Sequence, residues 1–143
     1  MKRQQLLLLI LAFGVFSILN TEMGIIGILP MAAAMYQVDI VQAGMLVSLF
    51  ALGVAIAGPT MPLLFSRFNR KHVMLLVLGV FTICNALAVV ASDFQLLLVL
   101  RVVPAFFPPV YCALAFSVAA ASVAPEDAPR AVARLNMGVA AGM

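Results

Sequence analysis

Residues 6–29 read LLLLILAFGVFSILNTEMGIIGIL, and this stretch of the 143-residue chain contains one charged side chain, Glu22. A helix needs about 20 predominantly apolar residues to cross the roughly 30 Å hydrocarbon core of a bilayer. The stretch lacks the alternation of apolar and polar residues that is typical of a strand in a membrane β-barrel. Because lipid offers no hydrogen-bond partners to an open backbone, the stretch predicts a membrane-spanning α-helix.

The composition of the whole chain points to the same class of protein. Hydrophobic residues make up 66% of the sequence and charged residues 9%, whereas soluble domains average about 45–50% and about 25%. A soluble domain of this size leaves much of its surface in water and cannot bury so large an apolar fraction. The composition therefore excludes a soluble enzyme, a disordered tail and a nucleic-acid-binding module.

Three further apolar runs are long enough to cross a bilayer, at residues 41–65, 73–91 and 94–123. Another run begins near Ala131 and continues to Met143. The expected fold is an all-α integral membrane bundle with four transmembrane helices and the start of a fifth.

The charges between the runs predict the orientation of the helices. Seven of the eight basic residues lie before the first run, between the second and third, or after the fourth. They are Lys2, Arg3, Arg67, Arg70, Lys71, Arg130 and Arg134. The two remaining joints contain Asp39 and Asp93 and no basic residue. Because cytoplasmic loops are enriched in Lys and Arg, we expect a cytoplasmic N-terminus and spans that alternate in direction.

Two charged residues, Glu22 and Arg101, lie well inside apolar spans. A charge at the bilayer centre costs about 2.5–3.5 kcal/mol even on insertion scales, so such side chains face protein or water. Each lies about seven residues from the outer end of its span, which is about 10 Å at 1.5 Å per residue. The two can pair if their helices are neighbours. A carboxyl held between an apolar environment and a guanidinium can exchange protons near neutral pH, and the alternative is a static ion pair that locks two helices.

Small residues recur at helical spacing on the first two spans. One stripe consists of Ser17, Asn20, Gly24 and Gly27, and the other of Gly44, Ser48, Ala51, Ala55 and Gly58. Such stripes let transmembrane helices approach closely, so both are predicted to be packing faces, with a substrate path as the alternative. Glu22 points about 160° away from the first stripe at 100° per residue. We therefore expect it in a largely apolar cavity suited to hydrophobic or cationic substrates.

Prolines interrupt two of the runs. Pro104, Pro108 and Pro109 lie in the fourth run, and Pro59 and Pro62 lie in the second. A proline lacks the backbone N–H that a helix needs and tends to kink or break it. The fourth span is therefore expected to be bent, either as a purely structural kink or as a hinge or cavity wall.

The sequence carries no pattern of a catalytic or metal-binding site. Its single histidine, His72, lies in a basic joint without the companions of a metal site. No glycine loop of the phosphate-binding type is present. Cys84 and Cys112 both lie in apolar runs, where buried thiols are expected before a disulfide. We expect neither an enzyme nor a metal site.

Two motifs resemble those of the major facilitator superfamily. Residues 20–30, NTEMGIIGILP, resemble the first-helix signature of its drug/proton antiporters, above all the bacterial sugar/drug-efflux permease group. Residues 62–71, PLLFSRFNRK, resemble the loop G-x-L-x-D-R-x-G-R-K between helices two and three. The matching residues are Leu64, Arg67, Arg70 and Lys71, whereas Pro62, Ser66 and Asn69 replace Gly, Asp and Gly. Arg101 stands where the family has an arginine in helix four, with Pro104 and Ala105 in place of Gln and Gly.

The resemblance implies a function as well as a fold. It implies that Glu22, Arg101, Asn20 and Thr21 bind protons or substrate. It also implies that Arg67, Arg70, Lys71 and Ser66 form a gating loop, in which the missing aspartate removes part of the usual charge relay. The family has twelve helices in two halves that are built from inverted repeats of three helices, uses the proton gradient without a cofactor, and resides in the inner membrane as a multi-pass protein.

Three hypotheses for the function follow. The first is an incomplete proton-coupled efflux transporter for small organic molecules such as drugs or sugars. Its partners are the substrate, the lipid bilayer and the missing C-terminal helices, and no nucleic acid. Such a chain is expected not to transport alone. The second is a small four-helix multidrug transporter that acts as a dimer, and the third is a non-transporting structural membrane fragment.

Overall fold

The computed structural model describes residues 2–143, with side chains from Arg3 onward. Within these residues the chain is helical and contains no strand, which confirms the all-α class. The α-helices are α1 (Lys2–Met35), α2 (Ile40–Ala43), α3 (Met45–Leu64), α4 (Arg70–Val89), α5 (Phe94–Val102), α6 (Pro108–Ala121) and α7 (Ala128–Gly142). Two 3-10 segments, Phe65–Arg67 and Val103–Phe106, lie between helices.

Four helical segments are long and apolar enough to cross a membrane, as predicted. They are Arg3–Met35, Ile40–Arg67, Arg70–Val89 and Phe94–Ala121. The first extends beyond residues 6–29 because α1 continues through Pro30. A helix in lipid tolerates the loss of one N–H donor when neighbouring groups satisfy the freed carbonyl.

Three helices begin at an Asn or Asp that accepts a hydrogen bond from the first turn. Asp39 accepts from the backbone N–H of Ile40 at 2.8 Å, and Asp93 accepts from that of Leu96 at 2.7 Å. Asn69 accepts from the N–H of Lys71 at 3.0 Å. A side chain at this position satisfies a donor that the helix cannot pair internally. These short joints therefore also start the next helix.

The helix of the fourth span is interrupted at its prolines, as the sequence predicted for a kink or break. α5 ends at Val102, the backbone tightens into Val103–Phe106, and α6 begins at Pro108. Pro104 lies in the tightened segment, where the chain needs no donor from it. α3, in contrast, continues through Pro59 and Pro62, so the number of prolines alone does not decide whether a span breaks.

α3 packs through the face opposite to the predicted one. Its buried residues are Leu46, Phe50, Gly53 and Ala57. Of the predicted stripe, Gly44 is half-buried, and Ser48, Ala51, Ala55 and Gly58 are exposed. The prediction of a packing face on that stripe is therefore wrong within this chain. A single glycine makes the close approach, because a Cβ on Gly53 would lie 3.0 Å from the Cβ of Ala105.

α1 also reverses the predicted packing face. Leu8, Leu11, Val15 and Ile18 are buried. In the predicted stripe, Ser17 is half-buried, whereas Asn20, Gly24 and Gly27 are exposed. Most of the buried side chains are large, so α1 packs mainly through them and not through the predicted stripe of small residues.

The chain forms two compact units. One contains the chain up to Met23 together with Tyr111–Met143, and the other contains residues 24–110. In the first unit α7 packs closely on α1 through two glycines four residues apart. A Cβ on Gly138 would lie 2.7 Å from the carbonyl oxygen of Ala12, and one on Gly142 would lie 2.9 Å from that of Phe16. Such spacing lets two helix backbones touch.

The second unit is held at one end by Tyr36. Its hydroxyl donates to the carbonyl oxygen of Ala91 at 3.0 Å. Its ring stacks edge-on against Phe94, with the ring centroids 6.2 Å apart. The end of α1 is thereby bound to the joint between α4 and α5.

Candidate functional site

Glu22 lies on the packed face of α1. It follows Val15 and Ile18 by seven and four residues, which places all three side chains on one side of the helix. Val15 and Ile18 are fully buried, and Glu22 is half-buried at the end of this face. Glu22 thus lies away from the stripe of small residues, as predicted, but on the packed face of α1, because the large side chains rather than the small ones are buried.

α6 carries a group that interacts with Glu22. The thiol of Cys112 and the Glu22 carboxyl interact electrostatically. The preceding residue, Tyr111, is fully buried, and its hydroxyl end fills the space that a Cβ on Gly14 would need. Gly14 thus lets Tyr111 of α6 pack against α1. Sequence analysis missed this contact, although Gly14 is the small residue within the buried face.

Thr21 takes part in a short ladder of hydroxyl groups along α1. Its Oγ1 donates to the carbonyl oxygen of Ser17 at 2.8 Å, and the Oγ of Ser17 donates to that of Phe13 at 2.8 Å. A hydroxyl that donates to its own helix keeps lone pairs that accept from another group. Thr21 is half-buried beside Glu22, whereas Asn20 is exposed. The two predicted binding residues Asn20 and Thr21 therefore lie in different environments.

Arg101 is positioned by an aromatic ring of α3. Its guanidinium carbon lies 4.8 Å from the ring centroid of Phe50, which is within the range of a cation–π interaction. Phe50 is buried, so the ring is fixed by packing. Arg101 also lies in the last turn of α5, where the helix dipole favours a positive charge.

Phe50 was not among the predicted site residues. Phe50 belongs to a set of residues three or four positions apart that form the packed face of α3: Leu46, Phe50, Gly53 and Ala57. This spacing is the only signal that the sequence gives for it. An aromatic side chain within an apolar run does not differ in pattern from its apolar neighbours, so the sequence does not show that Phe50 faces a cation.

The predicted gating loop occupies the joint between α3 and α4. Ser66 and Arg67 lie in the 3-10 segment, and Arg70 and Lys71 begin α4. All four side chains are exposed. The hydroxyl of Ser66 donates to the carbonyl oxygen of Leu63 at 2.6 Å and so satisfies a group at the end of the helix. Ser66 and Asn69 depart from the family pattern, and each has a local structural role.

Aromatic rings connect this loop to the break in the fourth span. The ring of Phe65 lies 6.5 Å from that of Phe107 and 5.9 Å from that of Phe68, measured between centroids. Phe107 is the residue between the segment Val103–Phe106 and α6. The loop between α3 and α4 is thus in ring contact with the break of the fourth span, a contact that sequence analysis missed.

The described residues thus form three local groupings. Glu22 lies with Thr21 and Cys112, Arg101 lies on Phe50, and the loop lies against Phe107. The pairing of Glu22 with Arg101 stays a prediction. Among residues 2–143, no three His, Cys, Asp or Glu side chains form a group that could hold a metal ion.

Comparison with known proteins identifies a family. The model of the Major Facilitator Superfamily matches residues 11–143. The chain is 36% identical over 132 residues to "Inner membrane transport protein YdhP" of Escherichia coli K12, covering 92% of the chain and 34% of that protein. No solved structure gives a significant match.

Two further relatives carry names that mention a transported compound or a resistance. A chloramphenicol resistance protein of Streptomyces lividans is 30% identical over 131 residues, covering 92% of the chain and 33% of that protein. A probable sugar efflux transporter of Helicobacter acinonychis is 28% identical over 92 residues, covering 64% of the chain and 24% of that protein. The chain thus spans about a third or less of the length of these curated relatives.

Proposed function

Because the chain belongs to the Major Facilitator Superfamily, we propose that it supplies the N-terminal helices of a transporter that exports small organic molecules in exchange for protons. It is a multi-pass membrane protein of a family of membrane transporters. The name of the E. coli relative supports a location in the inner membrane. The basic joints support a cytoplasmic N-terminus.

The observation that carries the proposal is the position of Glu22. An acidic side chain in an apolar span is costly, and this one lies half-buried at the end of the packed face of α1. Protonation removes its charge, and deprotonation restores a site for a cation or a hydrogen-bond donor. If proton and substrate occupy this carboxyl in turn, binding of one drives release of the other, which is the minimum requirement for antiport.

Thr21 and Arg101 complete the proposed binding residues. The hydroxyl oxygen of Thr21 can accept a hydrogen bond while its proton is donated to the carbonyl oxygen of Ser17. Arg101 carries a permanent charge that the Phe50 ring holds in place. We propose that Arg101 pairs with Glu22 in its deprotonated state and releases it on protonation. Asn20 is exposed on the side of α1 and serves as a polar contact for substrate.

The loop between α3 and α4 is the proposed gate. Arg67, Arg70 and Lys71 are exposed cations, which suits pairing with acidic groups elsewhere in a complete transporter. Phe65 connects the loop to Phe107 at the break of the fourth span. Movement of the loop then bends or straightens the span that carries Arg101, which couples the gate to the site.

The proposal assigns the missing helices to the same transporter. The chain covers 34% of the length of the E. coli relative, and a twelve-helix family places its substrate between two halves. α7 packs through Gly138 and Gly142 on α1, which disfavours a four-helix transporter in which α1 to α6 form the complete bundle. We propose that the chain alone does not transport.

A chimaera tests the proposal. Residues 1–143 replace the corresponding first third of the E. coli relative, and the chimaera and the isolated chain are reconstituted in vesicles that contain a pH-sensitive dye. Chloramphenicol and ethidium serve as probe substrates. With the chimaera, adding either probe is expected to change the pH inside the vesicles, because protons move in the direction opposite to the substrate. Proton-coupled efflux by the isolated chain would disprove the incomplete transporter. If the chimaera moves substrate at a rate that does not depend on the proton gradient, antiport would be disproved.

A further inference from the structure

A pocket of about 190 Å³ lies in the first compact unit, where the beginning of α1 meets the joint between α6 and α7. Its polar wall includes Gln4, Asp127, Arg130 and Arg134. Its apolar floor includes Leu8, which is buried. The pocket is thus amphipathic and lies at the ends of two helices, where a membrane protein meets the polar boundary of the bilayer.

The charges in the pocket favour an anion. Arg130 and Arg134 are four residues apart on α7 and both line the pocket. Two like charges at this spacing repel each other. Asp127 approaches Arg130 at 3.4 Å, but both side chains are more than half exposed, so water weakens that pair. With two guanidinium groups and one carboxylate, the lining keeps a net positive charge, and an anion between the arginines relieves their repulsion.

A hydrogen bond fixes the wall of the pocket. The Nε2 of Gln4 donates to the carbonyl oxygen of Ser122 at 2.9 Å and joins the beginning of α1 to the end of α6. Ser122 in turn donates its hydroxyl to the carbonyl oxygen of Ala119 at 2.9 Å. The end of α6 is therefore bound to the beginning of α1, which fixes one wall of the pocket.

The surroundings of the pocket favour a lipid over a free anion. The pocket is also lined by apolar side chains, from Leu8 of α1, Ala131 of α7 and Val123. An anion held at Arg130 and Arg134 therefore lies next to an apolar surface within the same pocket. A phospholipid matches both features, because its phosphate is bound by guanidinium groups and its acyl chains cover apolar helix surface.

We propose that this pocket binds the headgroup phosphate of an anionic phospholipid, with Arg130 and Arg134 as its ligands and an apolar part of the lipid against Leu8 and Val123. Basic pockets between transmembrane helices bind such headgroups. Asp127 competes with the phosphate for Arg130 and limits the affinity. The site is independent of Glu22 and of the proposed transport activity.

The test is native mass spectrometry of the full 143-residue chain, released from mixed micelles that contain equal amounts of phosphatidylglycerol and phosphatidylcholine. The wild-type chain is expected to retain phosphatidylglycerol preferentially. Each arginine removed, in Arg130→Gln and Arg134→Gln, should lower this retention about fivefold. Asp127→Asn should increase it, because Arg130 loses its competing partner.

Two controls make the result specific. Arg70→Gln/Lys71→Gln removes the same charge from exposed positions outside the pocket and should leave retention unchanged. A loss in Arg70→Gln/Lys71→Gln as large as in the combined Arg130→Gln/Arg134→Gln variant would overturn the proposal in favour of a general charge effect, as would equal retention of the two lipids. Inorganic phosphate is added in a separate arm, and its retention in place of phosphatidylglycerol would also overturn the lipid assignment.

The variants lie at exposed positions, and circular dichroism with gel filtration checks that each remains helical and monodisperse. Arg134→Lys provides a second measure that does not depend on loss of charge. It keeps the positive charge but loses the planar fork that binds a phosphate through two nitrogens. A partial loss of phosphatidylglycerol retention is expected, and an effect as large as that of Arg134→Gln in a folded chain would contradict a site that depends mainly on charge.

Discussion

The two halves of α1 differ in how they use the same kinds of residue. In the half before Met23, Leu11, Val15 and Ile18 are buried, and the Tyr111 side chain fills the space beside Gly14. In the half that follows, nothing lies within 4 Å of a Cβ built on Gly24 or Gly27. Glycine therefore marks a close contact in one half and an open surface in the other.

This difference teaches that the partner, and not the helix itself, decides what a small residue does. A glycine becomes a contact only where a neighbouring element has the shape to fill its groove. The same applies to α3, whose buried Gly53 meets Ala105 while Gly58 is open. Glu22 lies near the boundary between the halves, one turn after the buried Ile18.

The largest expected effect on the free energy of unfolding comes from comparing the same substitution at two isoleucines, one in each half of α1. Ile18 is 1% exposed and Ile28 is 50% exposed. Ile18→Ala removes buried methyl groups and leaves a cavity, so it should lower the free energy of unfolding by about 2–5 kcal/mol. Ile28→Ala should change it by less than about 0.5 kcal/mol. Unfolding of the reconstituted chain by SDS in mixed micelles measures both, and similar losses would break the comparison between the halves.

Two glycines give the next largest difference. A Cβ on Gly138 would press on the Ala12 carbonyl oxygen of α1, whereas a Cβ on Gly27 meets nothing. Gly138→Ala forces two backbones apart and should cost about 1–3 kcal/mol. Gly27→Ala should stabilise the helix by about 0.4–1 kcal/mol, since alanine restricts the unfolded chain. Unfolding by SDS measures the free energy of unfolding of both variants. An equal change in the two would show that α7 does not contact α1 at Gly138.

Asn69 tests whether exposure alone decides how well a substitution is tolerated, because its side chain is exposed and still accepts a hydrogen bond. It accepts from the N–H of Lys71 at the start of α4. Asn69→Ala should cost about 1 kcal/mol, and Asn69→Gly should cost a few tenths, roughly 0.3 kcal/mol. Thermal unfolding in detergent micelles separates the two. If alanine proves as mild as glycine, the side-chain bond does not support the helix and exposure alone decides tolerance.

Much of the fold could be predicted because its causes are local. A run of apolar residues predicts a span wherever it lies, and Pro104 predicts a break that the segment Val103–Phe106 confirms. Glu22 could be singled out because a carboxyl in an apolar run needs an explanation. These inferences require only one helix at a time.

The packing faces and the neighbours of the site could not be predicted in this way. Whether Gly24 or Gly14 makes a contact depends on the side chain of another helix, and Tyr111 lies about a hundred residues further along the chain. Phe50 beneath Arg101 looks like any other apolar residue until α3 and α5 are packed together. The missing information concerns pairs of helices, which a single apolar pattern does not encode.

The most direct test of the account is proton coupling at Glu22. In the chimaera with the E. coli relative, Glu22→Gln keeps the size and polarity of the side chain but holds no exchangeable charge. The matched control is Glu126→Gln, at an exposed acid in the joint between α6 and α7. Substrate-induced proton movement in vesicles is expected to disappear in Glu22→Gln and to remain unchanged in Glu126→Gln. Full proton movement in a folded Glu22→Gln chimaera would contradict the account and leave Glu22 a purely structural residue.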